Sequence, residues 1–122
     1  MTTDKGPIDF QIIRDMLYND EAYVDEFCQA SVTSFTEFKN NFHKNVMEED
    51  LETLRRTGHK IKPVAKMLKL DPLLETYEKS KILLSESSDE DIAKMKKKYA
   101  DDMDAYCDKI LQQLKERSEN VS

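Results

Sequence analysis

Two histidines, His43 and His59, and two cysteines, Cys28 and Cys107, are the candidates for nucleophilic or metal chemistry. The cysteines lie far apart and form no CxxC or ligand-like spacing. They read as reduced thiols packed in a core, with a disulfide left open. Cys28, His43, His59 and Cys107 together lack close ligand spacing, so a metal or redox centre is the weakest reading and no metal site is expected. His43 stands between Phe42 and Lys44 near the end of a predicted helix. A helix C-terminus favours imidazolium, so His43 reads as a helix-end cation.

His59 has a different setting. Arg55 and Arg56 stand one turn before it, and Lys62 and Pro63 one turn after. Lys66 lies a turn further on. From Arg55 to Leu70 there are six Lys or Arg residues and no Asp or Glu, in a chain of net charge -6. The apolar stripe of this helix fixes the core direction at about 100° per residue, and His59 then points roughly 130° away from it. A neutral imidazole is a nucleophile near neutral pH. If its ring carried a phosphoryl group, Lys62 and Arg55 could pair with the new anion. A rigid helix would hold the ring for in-line attack, and positioning supplies much of the catalysis of phosphoryl transfer. Spacing alone equally allows a solvated histidine on a basic helix face.

The elements that must position His59 are set by periodicity. Residues 8–18 carry a short apolar helix pattern, and Asn19-Asp20 offers a cap for a longer helix. Val24, Phe27, Ser31, Phe35, Phe38 and Phe42 then recur at steps of three or four, a core stripe of about six turns. The polar run from Asn45 to Asp50 breaks it. Leu51, Leu54, Gly58, Ile61, Ala65 and Leu68 form the next stripe, on the helix that carries His59. Asp71-Pro72 is a boundary, with Asp as cap and Pro in the first turn of a helix running to about Leu84. Leu73, Tyr77 and Leu84 should be buried there. Ser88 with Asp91 resembles a capping box. It opens the longest stripe, from Ile92 through Met103 to Leu114, backed by a charged face that includes Lys96, Lys97, Asp101, Asp104 and Lys115. The sum is one all-α domain over 1–122, an antiparallel four-helix bundle with a short extra N-terminal helix. A tail is expected at about 1–7 and a frayed end from about Ser118.

Composition agrees and excludes. With 2 Gly, 3 Pro and 36% charged residues the chain favours helices. The acidic balance argues against general nucleic-acid binding. No apolar run approaches the ~20 residues needed to span a bilayer, and the start MTTDKGPIDF lacks a signal-peptide core. A cytoplasmic monomer is expected. Met1 and the capped architecture point to a free-standing protein rather than a piece of a hybrid kinase.

The stretch TGHKIKPVA, Thr57 to Ala65, resembles the signature of histidine phosphotransfer domains. That pattern is His, any residue, an aliphatic residue, Lys, Gly and small residues, often with Leu-Gly after them. His59, Ile61, Lys62 and Ala65 match, and Leu68-Lys69-Leu70 stands where the family often has Leu-Gly-Leu. The family fold, a four-helix bundle with a short N-terminal helix, fits the layout from about Ile8 to Leu114. The resemblance implies that His59 accepts and donates a phosphoryl group and that Lys62 stabilises its charge. It implies a carrier rather than an enzyme, in two-component signalling. Its partners would be a hybrid histidine kinase and a response-regulator receiver domain, whose phosphorylatable Asp and bound Mg²⁺ supply most of the catalytic apparatus. This chain would need no cofactor of its own, and no Gly-rich phosphate loop is present.

Two positions depart from the family. Pro63 replaces the usual Gly four residues after the histidine. It keeps little bulk on that face but removes the amide that would bond the His59 carbonyl, so a bend is expected there. The alternative is that Pro63 ends one helix and begins another. A Gln found on the third helix of some members aligns with Lys81. Pro63, Val64 and Met67 form either a docking patch for a receiver or contacts to a neighbouring element. Arg55, Arg56, Pro63, Lys66, Met67 and Lys81 are the expected binding residues around the pair His59 and Lys62. Pro63 also keeps open a second reading, a non-phosphorylated helical module that docks a receiver or kinase.

Overall fold

A computed structural model describes residues 6–121, with side chains to Arg117. Among the described residues there are five helices and no strand: α1 (Phe10–Met16), α2 (Glu21–Met47), α3 (Leu51–Met67), α4 (Asp71–Glu86) and α5 (Asp89–Val121). α2 packs on α3 and α5, and α4 packs on the same two helices, so the four long helices close into a ring; α1 lies against α2. Cross-links between α2 and α5 fix their sense. Arg117 reaches Glu21 and Asp25, Asp108 reaches Lys39, and Asp104 reaches His43. Rising numbers on α2 meet falling numbers on α5, so the pair is antiparallel. This is the expected bundle with its extra N-terminal helix. No helix among the described residues is long and apolar enough to cross a membrane.

The stripes become the core. Val24, Phe35, Phe38 and Phe42 from α2, Leu54, Ile61 and Ala65 from α3, Leu73 and Tyr77 from α4, and Met103, Ile110 and Leu114 from α5 are buried together. Cys28 and Cys107 are buried free thiols in the same core. Leu84 is only partly buried. The expected tail at 1–7 lies mostly outside the described residues. At Ile8 the chain is already tied down. Ile8 is buried, its N–H donates to Gln113 Oε1 at 2.9 Å, and Gln113 Nε2 donates back to the Ile8 carbonyl at 2.6 Å. The backbone of α5 remains helical past Ser118, to Val121.

Helix ends account for the differences from the sequence reading. Asp20 caps α2 as expected, accepting from the Ala22 and Tyr23 amides. Asp50 caps α3 through the Thr53 amide and hydroxyl, and these bonds hold its carboxyl below the usual range. The polar run at Asn45 does not end α2, which continues to Met47. Asn45 is buried because Thr57 on α3 donates a 2.7 Å hydrogen bond to its side-chain oxygen. Asp71 is not a cap: it is the first residue of α4, Pro72 comes next in the first turn, and Leu70 holds the cap position without a side-chain bond. Ser88 caps α5, accepting from the Asp91 amide.

α2 and α3 both end in a Schellman motif. The Asp50 and Glu49 amides donate to the Asn45 and Val46 carbonyls, and the Leu70 and Lys69 amides to those of Ala65 and Lys66. The left-handed residues are Glu49 and Lys69, each at φ 56°, where glycine is the usual choice. α3 therefore stops at Met67 and α4 starts at Asp71, and His59 sits mid-way along a helix fixed at both ends.

Candidate functional site

α3 runs through Pro63 as one helix, so the alternative in which Pro63 ends one helix and starts another does not hold. The proline withholds only the amide that would have met the His59 carbonyl. His59 is exposed, as the stripe predicted, and lies with Arg55, Arg56 and Lys60 around a shallow surface depression. Arg56 approaches Glu52 at 3.5 Å and Lys60 approaches Glu37 at 3.9 Å, both on open surface. Such pairs add little stability and leave the cations available. Arg55 and Lys66 are exposed and make no ion pair among the described residues.

The floor beside His59 is built by Gly58 and Tyr77. A Cβ on Gly58 would stand 2.0 Å from Tyr77 Cζ and 2.3 Å from its hydroxyl oxygen, so α4 can press this ring onto α3 only because residue 58 is glycine. Tyr77 is buried, and its hydroxyl donates to the Arg55 carbonyl at 3.4 Å. Burial pushes the Tyr77 phenol up, so it stays protonated and serves as a packing and donor group.

Lys62 and Lys81 meet on this ring. Their Nζ atoms stand 5.4 Å and 4.9 Å from its centroid, within cation–π range. Lys81, placed on the site by alignment alone, is thus brought to Lys62 across the α3–α4 interface. The two ammonium groups share one carboxylate: Glu78 takes Lys62 at 3.4 Å and Lys81 at 3.1 Å. Burial alone would push the Glu78 carboxyl up; the hydrogen bonds and charges of Lys81 and Lys62 outweigh it and hold the carboxyl low. Lys62 stands one turn from His59 on the same helix, which puts this lysine on the side of α3 next to the imidazole. Sequence reasoning missed Glu78 and the site role of Tyr77. The Glu78–Lys81 spacing of i,i+3 was a visible signal for half of the bridge, but the Lys62 half needs the register of α3 against α4.

Pro63 is exposed to solvent, while Val64 and Met67 on the same helix are half-buried, with Val64 packed on the core edge. Val64 therefore leans to the neighbour-contact reading, and Pro63 is apolar surface that stands beside His59.

His43 lies apart from this site. It is a partly exposed residue of α2 whose Nδ1 stands 2.9 Å from Asp104 Oδ2 without hydrogen-bond alignment. Its setting is a carboxylate of α5 rather than only the helix end. Ligand atoms of His43, Asp101 and Asp104 fall within 4.8 Å of one another, the one such group among the described residues. Asp101 already binds Lys97 at 2.7 Å. The thiols are poor nucleophiles: burial pushes Cys28 up, and Cys107 to about 12.

Comparison of the chain with family models, with curated proteins and with solved structures gives no match.

Proposed function

We propose that this protein is a phosphorelay carrier that holds a phosphoryl group on His59 and exchanges it with receiver-domain aspartates. The observation that carries the reading is an exposed histidine in mid-helix, one turn before Lys62, whose ammonium shares the buried Tyr77 ring with Lys81 of the next helix. The resemblance of Thr57–Ala65 to histidine phosphotransfer domains supports it, as does the seating of α3, which is capped by Asp50, bonded to α2 through Thr57 and Asn45, and closed at Lys69 and Leu70.

In the transfer, a ring nitrogen of His59 attacks phosphorus of a receiver aspartyl phosphate. The new N–P bond forms as the P–O bond to the aspartate breaks, and the electron pair leaves with the carboxylate. The receiver's Mg²⁺ supplies charge neutralisation on its own side. Lys62, with Lys81 behind it, meets the charge of the phosphoryl oxygens on this side. Arg55, Arg56 and Lys66 make the surface attractive to an acidic receiver mouth, and Pro63 lets that mouth approach. The chain is then a carrier and not an enzyme.

The test is incubation with phosphorylated receiver domains. Acid-labile, base-stable label should appear on the wild type and be missing from His59→Gln. Lys62→Ala should slow transfer about tenfold or more while the helical content stays unchanged. Label that persists in His59→Gln removes the site. A receiver that binds without transferring would favour the second reading, a docking module, for which Pro63 is the motivating departure.

A further inference from the structure

Glu78 is the one acidic side chain among the described residues that reaches the two lysines of the site, and the relay reading gives it no role. It is half exposed, so it can swing away at little cost. It holds both ammonium groups at once, and these are the groups that would meet phosphoryl oxygens. A carboxylate bridging two lysines has the charge sign and the acceptor oxygens of the phosphoryl group itself. While it is in place, the lysines are kept ordered over Tyr77 but their charge is compensated. An incoming phosphoryl group must displace it.

We infer that Glu78 is an internal stand-in for the phosphoryl group, a positioning residue that holds Lys62 and Lys81 ready and restrains loading of His59. The inference rests on the relay reading of the same site and adds its regulation. Loading then trades one bridge for another: the lysines leave the Glu78 carboxylate and pair with the phosphoryl oxygens. The released carboxylate repels the phosphoryl group, which keeps the carried group ready to move on. The restraint is modest, because the bridging carboxylate is half exposed and water competes for both pairs.

The experiment uses the full chain and phosphoramidate, a small anionic donor that needs no receiver. The His59 nitrogen bonds to phosphorus, the P–N bond of the donor breaks, and ammonia leaves. Initial labelling rates are compared for wild type, Glu78→Gln and Glu78→Asp, with His59→Gln as the blank. Glu78→Gln should load about threefold faster, and Glu78→Asp should return towards the wild-type rate. The Glu78 carboxyl carbon, tracked by NMR titration, should move from its low setting towards the ordinary glutamate range once His59 is loaded. A structural role would not produce that shift. Wild type that labels at His59 with an unchanged rate in Glu78→Gln overturns the restraint and leaves the relay reading standing. Wild type that does not label overturns both.

Discussion

The Tyr77 ring occupies the space that any side chain on Gly58 would need. One residue before His59, therefore, the identity of position 58 sets how closely α4 approaches α3. The lysine pair depends on that approach, since Lys62 comes from α3, Lys81 from α4, and the ring lies beneath both.

Gly58→Ala tests this contact. Helix propensity alone would favour alanine by about 1 kcal/mol. Overpacking against a buried ring costs about 1–3 kcal/mol, and a Cβ only 2.0 Å from Tyr77 Cζ puts this contact in the upper part of that range. We expect a net loss of about 1–2 kcal/mol in denaturant unfolding. Phosphoryl loading should slow as well, because the platform for the lysines shifts. A variant as stable as the wild type would mean that Tyr77 does not pack on Gly58.

Lys69→Gly should act in the opposite direction. Lys69 holds φ 56° at the end of α3, and its Cβ carries the steric penalty of the left-handed region. It makes no ion pair among the described residues, so the exchange is clean. The expected gain is about 0.5–1 kcal/mol, read as a higher denaturant midpoint at unchanged slope. The comparable change at Glu49 should gain less, since Glu49 also takes Lys96 at 2.9 Å. A loss of stability in Lys69→Gly would contradict the Schellman ending of α3.

Much of the fold is legible in the sequence, and the failures have physical causes. Steps of three and four give the core faces of α2, α3 and α5, because burial of a stripe is the main force that fixes a helix in a bundle. Asp20 and Ser88 are legible as caps because side-chain acceptors at helix starts are local chemistry. Asn45 reads as a break, yet its polarity is satisfied from another helix, by Thr57. The ends at Glu49 and Lys69 carry no glycine signal, since Glu and Lys themselves hold the left-handed positions. At the site, His59, Lys62 and the basic band can be picked out along one helix. The Glu78 bridge cannot, since it exists only once α3 and α4 are in register.

Acid should weaken the fold through two carboxylates. Asp50 and Glu78 are both held below their ordinary range in the folded chain. A depressed folded value means stability that is complete above the unfolded value, about 4, and lost as pH falls through the lower folded value. Denaturant midpoints should therefore be flat from pH 7 to about 5 and fall below about 4. Asp50→Asn and Glu78→Gln should each make the acid limb shallower. An acid limb unchanged in both variants would assign the loss to other carboxylates.

The central claim is that His59 carries phosphate, and ³¹P NMR of the loaded protein at alkaline pH tests it most directly. After treatment with phosphoramidate, the wild type should show one resonance in the phosphoramidate region of an N-phosphorylated imidazole. That resonance should vanish on acidification and be missing from His59→Gln but present in His43→Gln. A resonance that survives in His59→Gln, or one that is lost only in His43→Gln, would contradict the assignment of His59 as the carrier.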